Sequence, residues 1–436
     1  MKLNCELCFS TFVLLNTCLA SKFVSQSEKK GETLVTDVQP KCFKSEYNIR
    51  TAGDLAAISD CAVISGSIHV SDFDSDTLYL GSIREVKGDL TVKNCSSLLR
   101  MEGPSLNSVG GMFELNTLNS LTSLSFPKLE SVETLKWKVL PILTFVNFDS
   151  GIKKINSVIM SDTSLTGFGG FNVETLKTLN INNNRFLERI ESTVSEITEE
   201  LLISANARNI RVSLPNLVWV KTLTVKDTED INLESLQIVE KSADFSHNKF
   251  TKLDLPNMKS TGNTLSIINN KNLKDVNFDK LSEVGGGLMI IDNDQIDEID
   301  FFSSLRSVGG AIEFHGNIKS NHFNDLKIIK GSAIMKSSSE SFDCSDWMKN
   351  EVARVVRGGK VECGSGKSST TEVLLVDESG ESTQGEPGIN DNNKNTSNKE
   401  SFSKQKNGAS SNWTTFSKKL AMVVSVYSFG ILLQLL

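Results

Sequence analysis

Apolar and polar residues alternate along this chain in short runs, and the runs recur about every 22 residues from near Ile68 to near Ala333. The clearest copies read VGGGLMIIDN (Val284 to Asn293) and VGGAIEFHGN (Val308 to Asn317). Fainter copies read VKGDLTVKN from Val86, VGGMFELN from Val109, LKTLNINNN from Leu176, VKTLTVKD from Val220 and TLSIINN from Thr264. Within a copy, Leu288 and Ile290, or Ile312 and Phe314, share one face of a strand, because successive side chains point to opposite sides of extended backbone. The first apolar strand position falls at Ile68, Leu90, Phe113, Leu135, Val158, Leu179, Leu202, Leu223, Leu265, Leu288 and Ile312. The double step after Leu223 hides a weak copy around Ala243 to Phe245.

A fixed period of this size predicts a solenoid, in which no coil can bury its apolar face alone and neighbours must stack. The expected fold is all-β, a right-handed parallel β solenoid of about 13 coils. At about 4.8 Å per stacked strand it forms a rod roughly 60 Å long with one wide sheet. Asn94, Asn116, Asn182, Asn269, Asn293 and Asn317 follow the strands. Asparagine tolerates left-handed turns and bonds nearby backbone, so these residues are expected to form a ladder at one corner. Pro127, Pro215 and Pro256 share another phase. Proline cannot donate a ladder bond there, which predicts a kinked edge or a corner.

The two ends predict processing signals. In residues 1–20, Lys2 precedes a mainly apolar stretch from Phe9 to Leu19, and Cys18-Leu19-Ala20 offers a small-residue cleavage site, as in a secretory signal. Residues 21–41 are a short N-terminal segment. At the other end, Asn407-Gly408-Ala409 is followed by a polar spacer and an apolar tail from Leu420 to Leu436. That layout predicts a GPI-anchor signal with Asn407 as the attachment residue, Gly408 second, and residues 408–436 removed. A plain C-terminal membrane anchor is the other reading. Residues 364–407, rich in Ser, Thr, Gly, Asn and Lys, are expected to be a disordered stalk rather than a second domain.

Composition narrows the partners. A formal charge of −7 and a pI near 5.4 argue against nucleic acid or an anionic membrane surface. Of eight cysteines, Cys5, Cys8 and Cys18 leave with the signal. Cys42 and Cys61 are spaced like Cys344 and Cys363, and the two pairs bracket the repeats. Solenoids need caps, and the secretory route permits disulfides. Bonds Cys42–Cys61 and Cys344–Cys363 are therefore expected at the ends of a capped domain spanning 42–363, each contributing about 3 kcal/mol. Cys95 is left over, either a small buried residue or a bridge to another protein. Sequons predict N-glycosylation at Asn94 and Asn395; a third, at Asn412, lies beyond the anchor site.

Catalytic chemistry is sparse. His69, His247, His315 and His322 are scattered through different repeats, and beyond the signal segment, where Cys5 and Cys8 lie, no Cys-x-x-Cys or His cluster suggests a metal. The string GSGKSS near Gly364 lacks the first glycine of a phosphate loop, since Val361 stands there. The acidic run Asp292, Asp294, Asp297, Glu298 and Asp300 has calcium-binding oxygens but no EF-hand glycine. The same carboxylates are the candidates for a glycosidase acid/base pair. Trp137, Trp219, Phe314 and Tyr79 are candidate sugar-stacking rings. Trp137 lies between Lys136 and Lys138, so if the lysines face water the ring faces the core.

The strings VGGAIEFHGN, NINNNRFLERI (Asn180 to Ile190) and SVIMSDTSL (Ser157 to Leu165), between a signal and an anchor tail, resemble the fungal GPI-anchored cell-wall organisation proteins, whose leucine-rich repeats look like the receptor L-domain. LKWKVLPIL (Leu135 to Leu143), KGSAIMKSSS (Lys330 to Ser339), DCSDW (Asp343 to Trp347) and VRGGKVEC (Val356 to Cys363) look like the sporulation-specific yeast branch. The resemblance spans about Cys42 to Cys363. It implies a role in ascospore wall assembly, organising the β-glucan layer by binding or scaffolding without catalysis and with no cofactor. The implied partners are β-glucan or wall-assembly proteins, with the membrane reached through the GPI lipid. The implied location is the outer leaflet of the plasma or prospore membrane, or the wall. A vegetative wall protein of the same family and a glycan-cleaving or glycan-transferring enzyme are the alternatives.

Overall fold

The computed structural model describes residues 40–383 except 170, 172, 350, 351, 368 and 369. Asn395, Asn407, Asn412 and both processing signals lie outside the described residues. Each repeat forms one coil of a parallel β solenoid of about 13 turns. A 25-stranded sheet runs along it, and shorter sheets of two to four strands line other sides. The register is carried from coil to coil: Leu265 pairs with Leu288, which pairs with Ile312, which pairs with Ala333. These residues face a continuous core and are fully buried. Burial of one such side chain contributes about 1.5–3 kcal/mol, so a solenoid core draws its stability from stacking rather than from any single coil.

The repeat phase holds at most anchors and slips at one. Leu201, not Leu202, pairs inward with Leu179 and Leu223, and Leu202 points out. The cause is a register shift between Leu176 and Thr178, where an extra residue in strand Glu196–Ser204 breaks strict alternation. The weak copy at Ala243 to Phe245 is a full coil, paired on both sides.

Most coils turn after their sheet strand through a residue with positive φ. These include Asp72, Asn94, Thr117, Val139, Asp162, Asn183, Ala205, Asp227, His247, Asn269 and Asp292. The next residue then points inward. From Asn184 to Asn293 that inward place holds an amide, Asn184, Asn206, Asn248, Asn270 or Asn293, except in one coil, where it holds Thr228. Asn270 Nδ2 donates to Phe245 O at 2.9 Å, and Asn270 Oδ1 accepts the Asn248 N–H at 2.9 Å. The ladder expected at Asn94, Asn116, Asn182, Asn269, Asn293 and Asn317 is thus misplaced for all but Asn293. The left-handed corner reverses the alternation, so the inward residue comes one or two positions later than a continuing strand would put it.

The large sheet has two textures. Strands Ser131–Leu140 and Lys154–Thr163 run unbroken across the coil. Later coils split the same stretch, as in Glu283–Val284 with Leu288–Ile291 and Ser307–Val308 with Ile312–Gly316. Glycine sits at the break because the coils stack there by backbone alone: a Cβ on Gly309 would lie 2.2 Å from Gly285 O. Pro127, Pro215 and Pro256 each open a turn after a short strand, which makes their shared phase a corner.

Both ends are capped. At the N-terminal end, the helix Ala52–Ala56 starts in a capping box of Thr51 and Asp54, and Cys42 bonds Cys61. At the other end, Cys344 opens the helix Cys344–Lys349 and bonds Cys363 in the sheet. Trp347 from this helix meets Phe314 edge-on at 6.0 Å, closing the core. The sheet does not stop at Cys363. Glu372–Val376 pairs antiparallel with Gly359–Gly364, and Ser382–Thr383 follows. The expected stalk therefore begins within an ordered hairpin: the apolar run Val373 to Val376 has a strand partner, and Val376 is buried.

Candidate functional site

The outer side of the large sheet is the broadest surface the fold presents. One column of outward residues passes from His69 through Thr91, Glu114, Lys136, Ile159 and Asn180 and on to Asp244, Ser266, Met289 and Glu313. Its chemistry changes along the length. Early in the column, Glu114 lies between Lys93 at 2.8 Å and Lys136 at 3.1 Å, with only 4% of its side chain exposed. Burial works against its charge, but hydrogen bonds from both lysines outweigh burial and hold the carboxyl below its usual range. Next to it, His69 Nδ1 is 2.8 Å from Thr91 Oγ1. Later in the column, Lys226 pairs with Asp244 at 2.9 Å, and half-buried Ile268, Met289 and Ile291 interrupt the polar residues. A face of hydroxyls, amides and mutually neutralised charges suits extended polar contact more than tight capture of an ion.

Shallow depressions mark the described surface, three of them notable. One of about 430 Å³ crosses the unbroken strands and includes Glu133, Lys153, Asn156 and Glu174. A second, of about 310 Å³, holds Lys274, Asp275, Asp297, Glu298 and Asp300. The largest of the three, about 600 Å³, lies across the short strands Arg189–Glu191, Arg211–Ser213 and Asp230–Asn232. All fall in or near the size range of small-ligand sites.

The acidic run is only partly gathered. Asp292 is an exposed left-handed corner residue and Asp294 is exposed, and neither lines the 310 Å³ depression. Asp297, Glu298 and Asp300 do, joined by Asp275 from the preceding coil. Lys319 Nζ lies 2.7 Å from Asp297 and, through that hydrogen bond, holds its carboxyl below the usual range. A general acid needs the opposite shift. Among the described residues, no group of three or more His, Cys, Asp or Glu is placed to hold a metal ion.

The aromatic candidates divide. Trp137 and Phe314 are fully buried, with Lys136 and Lys138 on the outer side. Trp219 is half-buried, and Tyr79 is 51% exposed. Sequence reasoning missed Phe145 and Phe186, 56% and 49% exposed, because both sit outside the large-sheet strands that carry the repeat signal. Asn94 is exposed at its corner, open to glycosylation, while the adjacent Cys95 is buried and unpaired.

No family model matches this chain, and no solved structure does. Named relatives are clear. Sporulation-specific protein 2 of Saccharomyces cerevisiae is 40% identical over 91% of this chain and 78% of its own length. Sporulation-specific protein 22 of the same yeast is 40% identical over 76% of this chain and 72% of its own length. A cell surface GPI-anchored protein of Arthroderma benhamiae is 30% identical over 73% of this chain and 81% of its own length. The chain belongs to the fungal family of GPI-anchored cell-wall and sporulation-specific proteins. Membership places it at the cell surface and wall and assigns it to cell-wall organisation at the level of the family.

Proposed function

We propose that this protein organises the β-glucan layer of the ascospore wall, holding wall polymer or wall-assembly proteins beside the membrane without cleaving them. The observation that carries this reading is the outer face of the large sheet, which keeps one register along the solenoid and presents mainly polar side chains, interrupted by Ile159, Leu202 and Met289. An extended polymer can lie along such a face and meet the same spacing at every coil. The similarity to two sporulation-specific proteins supports the ascospore as the setting. Anchoring through Asn407 would keep the solenoid outside the membrane, near the site of polymer deposition. The charge balance of the face supports hydroxyl-rich partners over ionic ones.

The test incubates the full-length protein, solubilised in detergent, with insoluble β-1,3-glucan and assays released sugar in the same tube. Retention without release is the expected result. Sugar release that disappears in Glu298→Gln would overturn the non-catalytic reading in favour of a glycan-cleaving enzyme at the 310 Å³ depression. Failure to bind, with normal spore walls in cells lacking the protein, would sink the proposal altogether.

A further inference from the structure

One coil is cut short. From the left-handed corner to the next short strand, the chain runs from Asn183 to Arg189, from Ala205 to Arg211 and from Asn269 to Asp275. In one coil it runs only from Asp227 to Asp230. The turn that elsewhere carries a buried residue such as Leu187, Ile210 or Leu273 is missing there. Lys249, in the following coil, reaches over the gap and donates to Arg208 O at 3.0 Å, a bond across two coils. The wall is thus notched, and Asp230, the first strand residue after the notch, lines the 600 Å³ depression.

From this notch we infer a binding cleft for a neutral hexopyranose chain, lined by Arg189, Glu191, Asn209, Arg211 and Asp230. The inference rests on the wall-polymer reading above and locates its contact. Guanidinium, carboxylate and carboxamide groups are flat, two-pronged hydrogen-bonding units that match adjacent hydroxyls on a sugar ring. Their charges nearly cancel, which disfavours a strongly ionic ligand. Arg211, Asn209 and Asp230 make no side-chain hydrogen bond or ion pair with any described residue, so their groups are open to a ligand. Arg189 and Arg211 are direct register partners, as are Arg211 and Asp230, so the cleft runs across three stacked strands. That spans roughly 10 Å along the axis, room for a short stretch of an extended polymer. Phe186, two residues before Glu188 and about half exposed, has the Arg185 guanidinium 5.6 Å from its ring centre, which leaves its other face to stack on a sugar ring.

The experiment measures retention of the full-length protein on insoluble β-1,3-glucan, chitin and mannan for the wild type, Arg211→Ala, Asp230→Asn and Phe186→Ala. Phe145→Ala, an exposed ring on another coil, is the control. All four replaced side chains are exposed, so loss of folding is not the expected outcome, and far-ultraviolet circular dichroism checks it. The expected result is wild-type retention on one of the polymers, about tenfold weaker in Arg211→Ala and Asp230→Asn, with Phe145→Ala unchanged. Retention of all variants at the wild-type level would overturn the cleft while leaving polymer binding intact. Retention of no protein on any polymer would overturn the wall-polymer reading, and the cleft with it.

Discussion

The same corner is built in two ways in the two halves of this solenoid. In the first coils the inward residue after the left-handed turn is Phe73, Cys95, Leu118 or Leu140, and it joins the hydrophobic core. At Leu118 the turn is satisfied by backbone, its N–H donating to Val139 O at 3.1 Å, and at Cys95 the thiol donates to Lys93 O at 3.2 Å. From Thr163 to Asn293 the place is polar, and the amide side chains do that work. Asn184 Oδ1 accepts the Thr163 N–H at 3.0 Å, and Asn293 Oδ1 accepts the Asn270 N–H at 2.9 Å. A buried amide is stable only when all of its bonds are made, and stacking supplies the partners from the coils before and after. The apolar corner tolerates variety because dispersion and burial are not directional; the amide corner does not.

Exchanging the two solutions should produce the largest effects. Asn270→Leu removes acceptors from Asn248 and the donor to Phe245 O, leaving buried polar groups unpaired on both sides. A loss of about 4 kcal/mol by chemical denaturation is expected. The reverse exchange, Leu118→Asn, should cost about 3 kcal/mol by burying an amide among apolar neighbours. If either exchange is neutral, the two corners are interchangeable and the contrast between the halves means little. A milder probe is Cys95→Ala, expected to cost about 1 kcal/mol, since a small group leaves a small void. Burial pushes the Cys95 thiol up, so maleimide should label it only in denaturant; fast labelling of the folded protein would contradict the packed corner. The smallest effect should be a gain. Val139 holds φ of +57°, a left-handed conformation that a β-branched residue adopts at a cost. Val139→Asn should stabilise by about 1 kcal/mol, bringing this coil closer to its neighbours with Asn or Asp there. A raised denaturation midpoint is the readout.

Where the site is concerned, the sequence was legible in parts. The period, the strand alternation and the cysteine spacing are local or nearly local signals, and they mark the coils and their two capped ends. The relatives are visible in strings such as DCSDW and VRGGKVEC. The cleft was not legible as a cleft. Its signal is an absence, the turn missing between Asp227 and Asp230. The acidic run read as one cluster, yet the coil splits it, putting Asp292 at a corner and Glu298 in a depression beside Asp275.

By itself, then, the sequence determined that the chain is a stacked β solenoid and that it bears the marks of a cell-surface wall protein. Periodic burial needs only the order of apolar residues, because each coil repeats the same local choice. Tertiary structure alone decided which asparagines go inside, that Phe145 and Phe186 meet water, and which polar residues share a surface. Those outcomes depend on a single left-handed residue per coil and on the register between coils. A shift of one position there moves every later side chain to the other face.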